Sequence, residues 1–179
     1  NKIENYIGNG KAIILIGCRQ IGKTTLLNEM FKDETEILKL NGDELDVQSM
    51  LSNITSDRWR SIIGNRKTII IDEAQRIDNI GLKLKLITDN LKDVQVIATG
   101  SSSLDISSKI NEPLTGRKWE LKMYPLSFKE MVEHHGLIKE LRLLPQRLVY
   151  GYYPDIVTHE GKEIELLKQL TDSYLYKDI

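Results

Sequence analysis

The chain alternates short runs of aliphatic residues with longer segments in which apolar residues recur at helical spacing. The runs predict four buried strands, at 12–16, 36–40, 67–72 and 94–99. Continuous apolar runs of this length are typical of parallel strands that are covered on both faces. The intervening segments predict helices, at 23–31, from Asp43 to about Ile54, and around Leu82–Ile87. We therefore expect an α/β fold in which a parallel sheet lies between two layers of helices.

The pattern changes after the fourth strand. Residues 118–123 alternate between polar and apolar and predict a fifth, partly exposed strand. Beyond it the spacing is helical, and Ser127 followed by Glu130 predicts a capping box at a helix start. Pro145 and the segment 151–154 are expected to interrupt this helical region, because proline and glycine break helices.

This change of pattern divides the chain into a core at 1–123 and a helical extension at 124–179. The first residue is Asn rather than Met, and the last helical segment, 161–179, ends without a capping residue. We therefore expect the extension to be truncated and the natural chain to continue past Ile179.

Composition excludes several classes of protein. Of the 179 residues, 40% are apolar and 28% are charged, which is ordinary for a globular domain. The formal net charge of −1 gives no overall electrostatic case for binding nucleic acid or an anionic membrane. The apolar runs are too short to span a bilayer. A single cysteine rules out an intramolecular disulfide and fits a reducing, cytoplasmic location.

The segment 17–24 reads Gly-Cys-Arg-Gln-Ile-Gly-Lys-Thr and matches the phosphate-binding pattern G-x-x-x-x-G-K-[ST]. Its glycines let backbone N–H groups approach a polyphosphate, Lys23 supplies a charge for the β- and γ-phosphates, and the Thr24 hydroxyl suits Mg²⁺. A strand is predicted directly before it and a helix directly after it, whose N-terminus adds partial positive charge. The predicted ATP site comprises Gly17, Cys18, Arg19, Gln20, Ile21, Gly22, Lys23, Thr24 and Thr25.

The strand at 67–72 ends in Asp72, and Glu73 follows it. A carboxylate at the carboxyl edge of a parallel sheet lies where α/β proteins bind ligands. We expect Asp72 to hold Mg²⁺ through water, opposite Thr24, and Glu73 to orient and deprotonate an attacking water. The alternative is that two acids simply suit the start of the next helix. The upstream loop favours the catalytic interpretation, and hence hydrolysis as well as binding.

Two further residues complete the predicted catalytic set with Lys23 and Glu73. Ser101, in the serine-rich turn after the fourth strand, would sense the γ-phosphate or the attacking water; an ordinary turn is the alternative. Arg117 would stabilise the transferring phosphoryl group, in cis or from a neighbouring chain, against the alternative of a surface ion pair. Trp59, between two arginines, either stacks on a base or anchors a loop, and the anchor is favoured.

These motifs and several later strings together resemble one family. The later strings are Ile71-Asp72-Glu73-Ala74-Gln75, Thr99-Gly100-Ser101-Ser102-Ser103, Leu114-Thr115-Gly116-Arg117, Tyr124-Pro125-Leu126-Ser127-Phe128 and Gly151-Tyr152-Tyr153-Pro154. With the phosphate-binding loop, they resemble the prokaryotic AAA-type ATPases that carry a C-terminal domain of unknown function, relatives of the archaeal and signal-transducing ATPases. The resemblance covers essentially the whole chain.

The resemblance implies a P-loop NTPase core in which the serine-bearing strand is inserted between the strands that carry the two motifs. It also implies a helical, winged-helix-like region after the core and a further C-terminal domain that contacts partners. The chain departs from the family pattern at Cys18, where a proline is common, and at Tyr152, where a second glycine is frequent.

The predicted function is an ATPase that converts ATP binding and Mg²⁺-dependent hydrolysis into a conformational change. A small-molecule kinase is a rival, against which Glu73 beside Asp72 argues. A nucleic-acid-associated motor or loader is disfavoured by the neutral charge. A nucleotide-gated interaction module with little turnover stays open. The expected partners are ATP, a protein bound through the C-terminal domain, and further copies of the chain, with no membrane.

Overall fold

A computed structural model describes residues 3–101, 110 and 112–175 of the protein, and these include a sheet of five parallel strands. The strands are β1 (Ala12–Ile16), β2 (Ile37–Asn41), β3 (Thr68–Asp72), β4 (Gln95–Gly100) and β5 (Lys118–Lys122). Their order is β2-β3-β4-β1-β5, and every pairing is parallel. All five predicted strands are confirmed, and β4 lies between β1 and β3 as the family resemblance implies.

The burial of the strands explains why their apolar runs could be recognised in the sequence. β1 and β4 are buried along their whole length, and β3 is buried except at Asp72. The edge strands β2 and β5 mix half-buried and exposed residues. Interior strands of a parallel sheet are covered on both faces, so they carry continuous apolar runs, whereas edge strands tolerate alternation.

In the described part of residues 1–123, the sheet is flanked by the helices α1 (Lys23–Met30), α2 (Leu45–Leu51), α3 (Ser56–Ile63) and α4 (Ile80–Asn90). Alternate residues of a strand point to opposite faces, so each of the interior strands β1, β3 and β4 contributes to two apolar clusters. Ile14 and Ile71 belong to the larger cluster, with residues of α2, α3 and α4. Ile13 and Ile70 belong to the smaller one, with residues of α1. The core is therefore three-layered.

The helix predicted from Asp43 needs correction. It begins at Leu45 with Glu44 as the N-cap residue, and the Asp43 carboxylate instead forms an ion pair with Arg76, with a distance of 3.2 Å between Arg76 Nε and Asp43 Oδ1. Helix α3, absent from the prediction, begins after Thr55, whose side chain accepts a hydrogen bond from the backbone N–H of Arg58.

Trp59 on α3 is the predicted anchor. Its side chain is fully buried, and its indole N–H donates to the carbonyl oxygen of Lys83 over 3.2 Å. A buried ring has no face to offer a nucleic-acid base, so the stacking alternative is wrong. The N–H to carbonyl bond ties α3 to α4 on one face of the sheet.

Contacts divide the chain into two compact units, one of residues 1–19 and 23–123, the other of residues 20–22 and 124–179. The described part of 124–175 holds four helices and no strand: α5 (Phe128–His135), α6 (Leu137–Tyr150), α7 (Pro154–Thr158) and α8 (Glu163–Leu175). Among the described residues, no helix combines the length and apolarity that crossing a membrane requires.

The predicted capping box opens α5, because the Ser127 side chain accepts from the Glu130 N–H while the Glu130 carboxylate accepts from the Ser127 N–H. Pro145, by contrast, does not interrupt the region and lies inside α6. Pro145 and Leu141, the residue one turn earlier, are both exposed, so water can bond to the carbonyl group that proline leaves free. The segment 151–154 does interrupt the helical region: residues 151–153 separate α6 from α7, which begins at Pro154.

Candidate functional site

The carboxyl ends of β1, β3 and β4 bring the predicted motifs to one edge of the sheet, because these adjacent strands are parallel. The loop after β1 turns sharply, with φ of 59° at Gln20 and 92° at Gly22. Such left-handed backbone suits glycine but strains glutamine, and strain of this kind concentrates at functional sites. Cys18, Gln20, Thr24 and Thr25 are exposed, Arg19 and Gly22 are half-buried, and Gly17, Ile21 and Lys23 are buried.

Lys23 lies at the start of α1 with its side chain almost fully buried. Its ammonium group donates to the carbonyl oxygen atoms of Gly17, over 2.8 Å, and Cys18, over 2.9 Å. Burial lowers the pKa of Lys23, while the nearby carboxylates of Glu73 and Asp72 act in the opposite direction. The two charge-assisted bonds satisfy the buried charge and hold it at the loop.

Asp72, the last residue of β3, is hydrogen-bonded both to α1 and to β4. Its Oδ2 accepts a hydrogen bond of 2.6 Å from the Thr24 hydroxyl at the start of α1. Its Oδ1 accepts a bond from the hydroxyl of Thr99, which is fully buried near the end of β4. Both carboxylate oxygen atoms therefore have defined orientations, one toward the loop and one toward β4.

Glu73 follows in a left-handed conformation, with φ 47° and ψ 42°. Its backbone N–H lies within hydrogen-bond distance of Asp72 Oδ1, at 3.1 Å, and of Thr99 Oγ1, at 3.2 Å. The loop after β2 packs against the same turn, because the N–H of Gly42 donates to the Asp72 carbonyl oxygen over 2.8 Å. Three strands thus hold the backbone that presents the Glu73 carboxylate.

Ser101 lies directly after β4 and is half-buried. Its hydroxyl oxygen accepts a hydrogen bond of 3.0 Å from the side-chain amide of Gln75. The same amide nitrogen donates to Glu73 Oε2, so Ser101 and Glu73 share one neighbour. Ser102 and Ser103, which stand in the same predicted turn, lie outside the described residues.

Arg117 is not brought to this edge of the sheet. It directly precedes β5, and its carbonyl oxygen accepts from the N–H of Ala12, the first residue of β1. From there to Gly17 the chain rises by about 16 Å, at roughly 3.3 Å per residue. Its guanidinium binds Asp89, with 2.7 Å between Nε and Oδ1, and lowers the pKa of that carboxyl group. A role in cis is therefore wrong, and the contribution from a neighbouring chain stays a prediction.

The prediction missed Thr99 and Gln75 as site residues. Thr99 had a signal, since a residue two positions before Ser101 along an extended strand lies on the same face. The sequence signal for Gln75 was weaker. Its side chain comes back toward Glu73 only because residues Ala74–Arg76 form a short 3₁₀ turn.

The hydroxyl of Thr24 and the carboxylate of Asp72 fit magnesium, which prefers hard oxygen ligands and is usually held by one or two protein groups together with phosphates and water. Among the described residues, no group of three or more His, Cys, Asp or Glu side chains is arranged to hold a metal ion. A metal at this edge would therefore take further ligands from a bound nucleotide and from water.

A five-stranded parallel sheet with a phosphate loop after β1 and an acidic pair after β3 defines a P-loop NTPase fold. A family model described as an AAA domain matches residues 9–132, and the chain belongs to this family. An uncharacterized protein of Methanocaldococcus jannaschii is 27% identical over 200 aligned positions, which cover 99% of this chain and 44% of the relative. The chain spans less than half the length of the curated relatives it matches.

Two solved structures support the fold. The Walker-type ATPase of Pyrococcus abyssi matches with a TM-score of 0.61 at 17% identity, covering 96% of this chain and 69% of that one. A signal transduction ATPase with numerous domains and a tetratricopeptide repeat sensor, from Pyrococcus horikoshii, matches with a TM-score of 0.57 at 17% identity, covering 95% of this chain and 32% of that one. Identities this low bear on the fold alone.

Proposed function

We propose that the protein binds ATP with Mg²⁺ and hydrolyses it, and that it couples hydrolysis to a conformational change. The observation that carries the proposal is the contact between Thr24 and Asp72, at 2.6 Å. Lys23 stands beside Thr24 at the start of α1, and Glu73 directly follows Asp72. This contact joins the two halves of a phosphate and metal site across strands that are distant in sequence. Membership of the AAA family supports the same interpretation.

In the proposed reaction, Lys23 binds the β- and γ-phosphates and offsets the charge that develops between them. Thr24 and Asp72 would hold the metal ion, which when bound neutralises phosphate charge. The Glu73 carboxylate orients a water molecule and accepts its proton as the oxygen attacks the γ-phosphorus. The bond between the γ-phosphorus and the bridging oxygen breaks, which yields ADP and phosphate. An arginine from a neighbouring chain, Arg117 or another, would complete the site.

The test is phosphate release in the absence of any added acceptor, which separates an ATPase from a kinase. We expect Glu73→Gln to keep ATP affinity within about threefold and to lower turnover by roughly 10²- to 10⁴-fold, the usual range for a general base. Lys23→Ala, the matched binding variant, should lose affinity as well. Turnover in Lys23→Ala equal to the wild type would expose a contaminating enzyme and contradict the proposal.

Affinity is measured separately, by titration with a fluorescent ATP analogue in the presence of Mg²⁺. Tight binding by the wild type without phosphate release would refute hydrolysis and favour the nucleotide-gated interaction module. Salt-dependent binding of DNA that raises turnover would instead favour a nucleic-acid-associated motor.

A further inference from the structure

A single buried side chain, Gln75, contacts both groups that the site offers to an attacking water. Its amide nitrogen donates to Glu73 Oε2 and, over 3.0 Å, to Ser101 Oγ. Gln75 is 7% exposed, although glutamine is usually a surface residue. Its two partners follow different strands, β3 and β4, so any movement of the amide would break one or both of these bonds.

The chemistry of the partners determines which way the amide faces. An ionised carboxylate only accepts hydrogen bonds, so the NH₂ group of Gln75, and not its oxygen, must face Glu73. That bond uses Oε2 of Glu73 and leaves Oε1 to accept from water. Ser101 also accepts from Gln75, so the hydroxyl hydrogen of Ser101 is not used in that bond and can be donated elsewhere.

The backbone that carries Gln75 is rigid. The 3₁₀ turn at Ala74–Arg76 is closed by bonds from Arg76 N to Glu73 O, at 3.0 Å, and from Ile77 N to Ala74 O, at 3.1 Å. Ala74 and Ile77 are fully buried in the larger apolar cluster. A side chain on such an anchored turn can hold a neighbour within the tolerance that catalysis needs.

We infer that Gln75 is a positioning residue for hydrolysis, which holds the Glu73 carboxylate and the Ser101 hydroxyl at a fixed separation on either side of the attacking water. The inference rests on the proposed ATPase function. Gln75 itself touches neither nucleotide nor water in this role and acts through its two partners. Its loss therefore affects the chemical step and leaves nucleotide binding, which depends on the loop and Lys23, in place.

The test compares Gln75→Met, which keeps the volume and removes the amide, with the wild-type chain. We expect kcat to fall by about 10- to 100-fold, the cost of a catalytic group displaced by up to about 1 Å. KM for ATP and the affinity for a fluorescent ATP analogue should stay within about threefold. Ser101→Ala, which removes one partner of the amide, should lower kcat less and also spare KM. A purely structural role would lower stability without this separation of kcat from KM.

Gln95 provides the matched control. It is also a buried glutamine with two side-chain donors, bonded over 2.9 Å to the carbonyl oxygen atoms of Lys11 and Val96, but at the opposite edge of the sheet. Gln95→Met should lower Tm and leave kcat unchanged. If Gln75→Met and Gln95→Met lower kcat equally, the positioning role is overturned. Should Gln75→Met not fold, Ser101→Ala decides, and a kcat equal to the wild type then overturns the inference.

A double-mutant cycle with Glu73→Gln separates this inference from the proposed function. If Gln75 acts through its two partners, adding Gln75→Met to Glu73→Gln should lower the residual turnover by clearly less than Gln75→Met lowers the turnover of the wild type. Full additivity of the two effects would refute the inference and leave the ATPase proposal standing. Absence of turnover in the wild type, with ATP bound, would overturn both.

Discussion

Replacing Gly42 with alanine tests whether the packing of Gly42 against the turn at Glu73 fixes the position of that turn. Gly42 follows β2, and a Cβ atom built there would stand 2.4 Å from the Glu73 carbonyl oxygen and 3.2 Å from that of Asp72. Its φ lies outside the left-handed region, so alanine brings no backbone strain of its own. The substitution therefore adds one methyl group against the backbone of the turn at Glu73 and changes nothing else.

The size of the effect follows from that contact. Cβ atoms essentially never approach other heavy atoms closer than 3.0 Å, so one of the two backbone segments must move by about 0.6 Å or more. Neither neighbour is a flexible side chain, and the bond from Gly42 N to Asp72 O ties the segments together. Overpacking of this kind typically costs 1–3 kcal/mol. A displacement approaching 1 Å at Glu73 predicts a fall in kcat of about 10- to 100-fold.

The assay is phosphate release by Gly42→Ala, together with its Tm and its affinity for ATP. Gly8→Ala serves as the stability control, because Gly8 has φ of 81° and nothing within 4 Å of an added Cβ. It should lose stability through backbone strain and keep its kcat. Equal kcat values for Gly42→Ala and the wild type would show that the turn adjusts freely, and the reasoning from close packing would then fail.

Two other substitutions probe bonds described above. Thr99→Val removes the hydroxyl that binds Asp72; it should raise the Mg²⁺ concentration for half-maximal turnover and cost about 1–3 kcal/mol in the free energy of unfolding. An unchanged Mg²⁺ dependence would contradict this. Trp59→Phe removes the N–H bond to Lys83; chemical denaturation should show a loss of about 1–2 kcal/mol, with ATP affinity unaltered. A change in affinity instead would indicate that α3 takes part in binding.

The parts of the fold that were predictable are those that local sequence determines. The interior strands are recognisable in the sequence as apolar runs, and the phosphate loop and the acidic pair are contiguous motifs. Side-chain contacts between strands were not predictable from local sequence, because they depend on which residues the paired strands place side by side. For this reason the partners of the Thr99 hydroxyl, the bonds of the Gln75 amide and the close approach of Gly42 became evident only in the structure.

The in-cis role considered for Arg117 failed for a different reason. The residue was judged by its type and by the turn-forming residues around it. Once β5 runs parallel to β1, however, a residue immediately before β5 must lie at the amino edge of the sheet, away from the loop after β1. The direction of a strand thus decides which of its ends lies at the edge of the sheet where the site forms. That direction cannot be read from the sequence alone.

The position of β4 in the sheet has a consequence for how the protein forms during synthesis. β1 and β3 do not pair with each other; each pairs with β4, which ends at Gly100. A nascent chain that has emerged only as far as Glu73 carries both motifs, yet it lacks the strand that joins them. The order of synthesis therefore delays assembly of the site until residues beyond 100 have left the ribosome, and contacts of such long sequence separation form late and slowly.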